Sequence, residues 1–239
     1  MLRRVVWSIF ALWGTAGALA QPAAAPPGRP ATAPAPAATA PAAPPDVTHG
    51  DPTATTIVFP IRSQPGATSR AIVVVPREYN APPRPAAGNA PPPQQKGYPV
   101  VYLLHGYSGN YTNWYTKSRE AGRPLSVLAD RHNVIIVMPD GQFSSWYLNA
   151  PPDGTEEPAK WQWEDVITHD LVREVDARFR TWAEPAGRGI TGLSMGGHGA
   201  LYLAARHPEI FGPAGSMSGV MDLTNSTRKY DLAKRLGPL

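Results

Sequence analysis

The residues with the clearest chemical potential lie at 192–196, where the sequence reads Gly-Leu-Ser-Met-Gly. In this G-x-S-x-G pattern a serine stands on a sharp turn between a strand and a helix. A serine hydroxyl is a weak nucleophile, so it must be exposed beside a base before it can attack a carbonyl. We predict that Ser194 is a catalytic nucleophile, and that Gly192 and Gly196 keep side chains from colliding at the strained turn.

The elements on either side of Ser194 fit this prediction. Residues 188–192 read as a short strand, and residues 195–206 read as a helix that ends before Pro208. The N-terminal end of such a helix is partly positive and would face a developing oxyanion. The alternative is a glycine-rich turn that packs a helix against a sheet without any catalytic role.

A second candidate turn reads His-Gly-Tyr-Ser-Gly at residues 105–109 and follows an apolar run. A His-Gly step after an early buried strand is where an α/β-hydrolase places its second oxyanion donor. We therefore assign the oxyanion hole to the backbone N–H groups of Tyr107 and Met195. His105 is interpreted as a structural brace of the turn, and the alternative is that it is the catalytic base.

The wider pattern predicts an α/β fold. The predicted strands are 55–62, 69–76, 98–104, 133–138, 188–192 and 211–218, and the predicted helices are 119–131, 163–179 and 195–206. The first two strands suggest an antiparallel hairpin, and the continuous apolar runs suggest strands buried on both faces. Alternating strands and helices favour a mostly parallel sheet with helices on both faces, as in an α/β-hydrolase.

Several short motifs together resemble the putative-esterase family of α/β-hydrolases. They are Tyr-Leu-Leu-His-Gly at 102–106, Asn-Trp at 113–114, Met-Pro-Asp-Gly at 138–141, Ser-Trp-Tyr at 145–147 and Gly-Leu-Ser-Met-Gly-Gly at 192–197. The family includes esterase D, tributyrin esterases, feruloyl and acetylxylan esterases, and mycolyltransferases. The resemblance covers roughly residues 52–239. It implies a serine esterase that works through an acyl-enzyme without a cofactor, and it leaves open acyl transfer to a sugar hydroxyl.

One feature departs from the family pattern. The order expected in this fold is nucleophile, acid, histidine, and the histidines that follow Ser194 are His198 and His207. His198 lies in the predicted helix after the nucleophile and His207 ends that helix a few turns away, so neither is expected to reach the Ser194 hydroxyl. Asp222 follows the last predicted strand and is a candidate acid. We expect a C-terminally incomplete domain that lacks the last strands and the triad histidine, and the alternative is a truncated, non-catalytic protein.

The other side chains yield few further sites. Trp146 and Tyr147 are candidates for lining a substrate pocket, with ordinary packing as the alternative, and Asp140 is interpreted as a turn former. The acidic residues expected on the solvated face of helix 163–179 are Asp165, Asp170, Glu174 and Asp176. The six histidines lack metal-ligand spacing and cysteine is absent, so we predict no metal site and no disulfide.

The N-terminus is predicted to direct export. Residues 1–20 combine Arg3 and Arg4, an apolar run and a small-residue cleavage site, which is typical of a signal peptide; a short membrane anchor is the alternative. Residues 21–51 are rich in Ala and Pro and are predicted to be a disordered linker before the hydrolase domain at 52–239.

The predicted mature chain is nearly neutral in charge. Without residues 1–20 it has 20 basic and 18 acidic side chains, and no Lys/Arg cluster indicates nucleic-acid binding. We expect a periplasmic or secreted enzyme, with no stable membrane span after signal removal. Its substrate would be a small-molecule or polysaccharide-linked ester.

Overall fold

The computed structural model describes residues 48, 50–80, 97–150, 162–224 and 232. Across them, six strands form one mixed sheet in the order β1-β2-β4-β3-β5-β6. The strands are β1 (Ala54–Pro60), β2 (Thr68–Val74), β3 (Val100–Leu104), β4 (Ile135–Pro139), β5 (Arg188–Leu193) and β6 (Ala214–Met217). β1 and β2 form the predicted antiparallel hairpin, β2 joins β4 antiparallel, and the remaining neighbours are parallel.

The helices are α1 (Asn113–Glu120), α2 (Leu125–His132), a helical run α3, and α4 (Met195–Arg206). The run α3 consists of Trp163–Asp165, a π-helical segment Val166–Leu171 and Val172–Arg178. Short 3₁₀ turns lie at Arg77–Asn80 and Pro185–Gly187. The predicted single helix at 119–131 was wrong, because Gly122 takes a left-handed φ of 69° and Pro124 caps the start of α2.

Helices cover both faces of the sheet, as the sequence predicted. On one face, Tyr102 and Leu104 of β3 pack in a cluster with Ile167 of α3 and Leu203 of α4. On the other face, β3 contributes Val101 and Leu103, and the partners from α1 and α2 are Trp114, Tyr115, Leu125 and Leu128. Each fully buried side chain of this size contributes about 1.5–3 kcal/mol to the free energy of folding. The two clusters therefore hold the central strands, and the loops that follow them, in fixed positions.

A buried carboxylate joins α3 to α4. Glu164 is 4% exposed. Its Oε1 accepts hydrogen bonds from Arg206 Nε and His207 Nε2, each at 2.7 Å, and its Oε2 accepts one from the Tyr202 hydroxyl at 2.8 Å. Burial raises the pKa of Glu164, but the hydrogen bonds outweigh this effect and the pKa lies below its ordinary value. His207 therefore stabilises the distal end of α4.

Two of the acidic residues expected on a solvated face are paired instead. Asp170 is buried and accepts a hydrogen bond from the backbone N–H of Arg62 at 3.0 Å, beside an ion pair with the Arg62 guanidinium at 3.2 Å. Asp176 accepts hydrogen bonds from Thr181 and Arg188 at 2.6 and 2.5 Å. Helical periodicity identifies the apolar stripe, but it carries no information about partners contributed by distant parts of the chain.

The predicted signal peptide at 1–20 lies outside the described residues, as does the linker up to residue 47. Within the described ranges, the helices are too short or too polar to cross a bilayer.

Candidate active site

Ser194 is the single residue between β5 and α4, and its backbone is strained. Its φ of 55° and ψ of −116° lie outside the regions that non-glycine residues ordinarily adopt. Its N–H donates to the carbonyl of Met217 at 2.8 Å, and its carbonyl accepts the N–H of His198 at 2.9 Å. The predicted strand–turn–helix context is therefore present, with Ser194 held between β6 and the first turn of α4.

Gly192 and Gly196 allow this turn to pack directly against the end of β3. A Cβ on Gly192 would lie 2.5 Å from the carbonyl oxygen of Gly196 and 2.7 Å from that of Leu104. A Cβ on Gly196 would collide with the same Leu104 carbonyl and lie 2.7 Å from the carbonyl oxygen of His105. These atoms belong to the backbone and cannot rotate away, so the turn requires glycine at both positions.

The predicted oxyanion loop lies beside Ser194. β3 and β5 are parallel and pair Leu104 with Gly192, so their carboxyl ends bring the 105–109 loop and Ser194 together. A Cβ on Gly106 would lie 3.5 Å from Ser194 Cβ. The loop closes with a hydrogen bond from the Gly109 N–H to the Gly106 carbonyl at 3.0 Å.

His105 acts as a brace in the described structure. Its ring is buried and its Nε2 accepts the N–H of Gly141, the residue that follows Asp140 after β4, at 2.9 Å. Its Nδ1 lies 2.8 Å from the carbonyl oxygen of Gly106. Because a carbonyl can only accept, the proton must be on Nδ1. Asp140 is the turn former expected, since its Oδ1 accepts the N–H of Gln142 at 2.7 Å.

Trp114 is a further brace, whose role the sequence did not reveal. Its indole N–H donates to the carbonyl of Leu104 at 2.9 Å and thereby holds the last residue of β3. The Asn-Trp motif was visible in the sequence, but its meaning depends on α1 folding back over the end of β3.

Trp146 and Tyr147, the pocket candidates, are buried, with 1% and 0% of their surface exposed. This placement corresponds to the packing alternative, because fully enclosed side chains do not present a surface to substrate. Their φ angles of 56° and 59° are left-handed, and nothing in the sequence indicated this. The Tyr147 hydroxyl donates to the carbonyl of His105 at 3.0 Å.

Two exposed apolar side chains follow β4 and β6, which lie on opposite sides of β5 in the sheet. Phe143 is 52% exposed and its ring meets that of Tyr107 edge-on, with centroids 4.8 Å apart. Met221 is 56% exposed and follows β6, in the segment where Gly219 packs tightly against Gly197 of α4. Both side chains follow the carboxyl ends of parallel strands, at the edge of the sheet where Ser194 lies, and the sequence did not single them out.

The two histidines that follow Ser194 in the sequence bind other groups. His198 Nδ1 donates to the carbonyl of Val220 at 2.8 Å, and His207 binds Glu164. Burial lowers the pKa of His198, although its hydrogen bond to Val220 acts in the opposite direction. Of the histidine rings in the described ranges, none is bonded to the Ser194 hydroxyl.

The candidate acid and a metal centre receive no support from the geometry. Asp222 accepts the N–H of Thr224 at 3.0 Å, so it stabilises its own turn. In the part of the chain that the structure describes, no group of three His, Cys, Asp or Glu side chains is arranged to hold a metal ion.

Comparison with known proteins shows that the sequence is similar to esterases and to an acyltransferase. A family model described as putative esterase matches residues 70–229. Esterase Rv1288 of Mycobacterium tuberculosis is 38% identical over 132 residues, which cover 53% of this chain and 26% of that protein. The diacylglycerol acyltransferase/mycolyltransferase Ag85A of Mycobacterium ulcerans is 31% identical over 128 residues, which cover 52% of this chain and 36% of that protein. The chain therefore spans well under half the length of these curated relatives.

A solved structure shows the same fold. The fluorophosphonate-binding serine hydrolase FphF of Staphylococcus aureus superposes with a TM-score of 0.58 at 19% identity, covering 78% of this chain and 66% of that one. This likeness confirms the predicted α/β-hydrolase architecture.

Proposed function

Because this chain belongs to the putative esterase family, we propose that it is a serine esterase that hydrolyses carboxylic esters through an acyl-enzyme on Ser194. The observation that carries the proposal is the strained backbone of Ser194, at φ 55° between β5 and α4. Such strain places a side chain where a relaxed turn would not, and it is concentrated at functional sites. Gly106 brings the 105–109 loop against Ser194, since a Cβ on Gly106 would lie 3.5 Å from Ser194 Cβ.

In the proposed reaction a general base takes the Ser194 proton and the serine oxygen attacks the ester carbonyl. The backbone N–H groups of Tyr107 and Met195 donate hydrogen bonds to the oxyanion of the tetrahedral intermediate. The intermediate collapses, the alcohol leaves with the proton from the base, and water then releases the acid from the acyl-enzyme. We propose that the base and its acid partner lie outside the described residues, because none of the described histidine rings is bonded to the Ser194 hydroxyl, and His105, His198 and His207 hold other contacts.

The surroundings of the site suggest an ester with an apolar portion. Phe143 and Met221 expose apolar surface in the segments after β4 and β6, at the edge of the sheet that carries Ser194, and burial of such surface by a ligand is favourable. Export by residues 1–20 into the periplasm or medium remains part of the proposal, on the strength of the sequence pattern alone.

Acyl transfer to a sugar hydroxyl is the second candidate, favoured by the 31% identity to the Ag85A acyltransferase/mycolyltransferase. It uses the same acyl-enzyme, and differs only in whether water or a sugar hydroxyl attacks it.

Product analysis tests the proposed function. The protein, including the residues that supply its proposed general base, is incubated with p-nitrophenyl butyrate, with and without a glucose acceptor, and the products are separated by mass. Hydrolysis predicts free butyrate equal to the nitrophenol released, whatever the glucose concentration. Butyryl-glucose as the main product would favour the transferase. Release of neither product above the rate in buffer would overturn catalysis and favour a binding protein.

A further inference from the structure

We propose that Tyr147 is a positioning residue for the oxyanion hole, whose hydroxyl holds the start of the 105–109 loop so that the Tyr107 N–H faces the reacting carbonyl. The inference rests on the proposed function and deepens it. Neither Tyr147 nor its hydroxyl touches substrate in this account, because the side chain is fully buried.

The first peptide of the loop is held by Tyr147. The hydroxyl donates to the carbonyl of His105 at 3.0 Å, and this carbonyl also lies against the first turn of α4, where a Cβ on Gly196 would be 2.7 Å away. Burial raises the pKa of the Tyr147 hydroxyl well above its ordinary value, and the Asp140 carboxylate adds to this effect. The hydroxyl therefore stays protonated and remains a donor at neutral pH.

The second peptide is held by His105. The Gly106 carbonyl accepts hydrogen bonds from His105 Nδ1 at 2.8 Å and from the Gly109 N–H at 3.0 Å. The described peptide bonds are trans, and in a trans peptide the N–H points opposite to the carbonyl. The N–H of Tyr107 must therefore point away from the His105 ring. The Gly106 carbonyl sets its direction, and the His105 carbonyl held by Tyr147 fixes the preceding peptide, from which the Gly106 peptide continues.

Tyr147 is itself held in a strained, enclosed position. Its ring lies between Gly141 and Gly199, where added Cβ atoms would collide with it, and its N–H donates to Ser145 Oγ at 3.0 Å. Its φ of 59° is unfavourable for a bulky residue. Strain of this kind persists only where several surrounding contacts hold the residue in place. Here those contacts direct the Tyr147 hydroxyl toward the His105 carbonyl.

The test compares two buried tyrosines. Tyr147→Phe removes the hydroxyl bound to His105. Tyr102→Phe is the matched control, because Tyr102 is equally buried and its hydroxyl interacts with Arg188 and Asp176 instead of the 105–109 loop. Loss of a direct oxyanion donor costs about 10²–10³ in kcat, so we expect loosened positioning in Y147F to lower kcat by about 10-fold with KM within twofold. Y102F should leave both constants unchanged.

A transition-state analogue separates positioning from general loosening. In Y147F the affinity for a boronic acid that forms an adduct on Ser194 should fall by the same factor as kcat, while the affinity for butyrate stays constant. Ser145→Ala, which removes the acceptor of the Tyr147 N–H, should lower kcat and boronate affinity by a smaller factor. This variant replaces Y147F in the test if Y147F does not fold. Unchanged kcat and boronate affinity in the folded variants, or an equal loss in Y102F, would overturn the proposal.

Amide hydrogen exchange provides a readout independent of activity. The N–H groups of Gly106 and Tyr107 should exchange faster in Y147F than in wild type and Y102F. If the wild type hydrolyses no ester, the proposed function fails, and exchange alone decides whether Tyr147 holds the loop. Equal exchange in all three proteins would overturn the positioning role.

Discussion

In the protein that includes the proposed general base, replacing Ser194 by alanine should lower kcat/KM for ester hydrolysis by a factor on the order of 10⁴–10⁶, while the protein keeps its fold. The loss follows because no acyl-enzyme can form without the serine oxygen. The stability should change little, since alanine at φ 55° is strained to the same degree as serine. Initial rates with p-nitrophenyl butyrate and thermal unfolding of both proteins measure the two effects.

Ser126→Ala is the matched control for this prediction. Ser126 lies on α2, which packs on the opposite face of the sheet from α4, so its loss should leave kcat/KM unchanged. If S194A retained more than a tenth of the wild-type activity, the nucleophile would have to be another residue.

Replacing Gly196 by alanine should destabilise the protein by about 3 kcal/mol and remove its activity. The new Cβ would collide with the Leu104 carbonyl and approach that of His105, and both atoms are fixed in β3 and the oxyanion loop. The collision can be removed only if α4 moves away from the sheet, and this movement also displaces Ser194. Urea denaturation of wild type and variant gives the difference in the free energy of unfolding.

Gly66→Ala is the control for a glycine without a steric constraint. Gly66 has a left-handed φ of 85° in the loop between β1 and β2, and an added Cβ meets nothing within 4 Å. Its replacement should cost only the conformational preference of alanine, about 1 kcal/mol, with full activity. Equal destabilisation by the two substitutions would contradict the close packing inferred at Gly196.

The strand, turn and helix around Ser194 could be predicted because all three lie within 19 consecutive residues. A buried apolar strand, two glycines and a helix-forming segment each leave a local pattern. The hairpin β1–β2 and the helices on both faces follow from similar local patterns of period 2 and period 3.6. Such patterns reflect which face of an element is buried, so they can be recognised in the sequence without knowledge of the tertiary structure.

The support of the oxyanion loop could not be predicted in the same way. The sequence predicts Tyr147 and Trp146 as pocket candidates because they belong to the long loop expected over the mouth of the active site, yet they are enclosed in left-handed backbone conformations. Aromatic residues rarely adopt such angles, so the residue types at these positions did not predict the left-handed conformations. Likewise, the pairing of Asp170 with Arg62 joins residues far apart in sequence, and only the fold brings them together.

The most direct test of the central claim is to trap the acyl-enzyme. The full chain is mixed with p-nitrophenyl butyrate, quenched in acid during turnover and digested, and the peptides are analysed by mass spectrometry. We predict one butyryl group on the peptide that contains Ser194, and none on that peptide from S194A. Turnover of ester without an adduct on Ser194, or with the adduct on a different residue that S194A retains, would contradict the account.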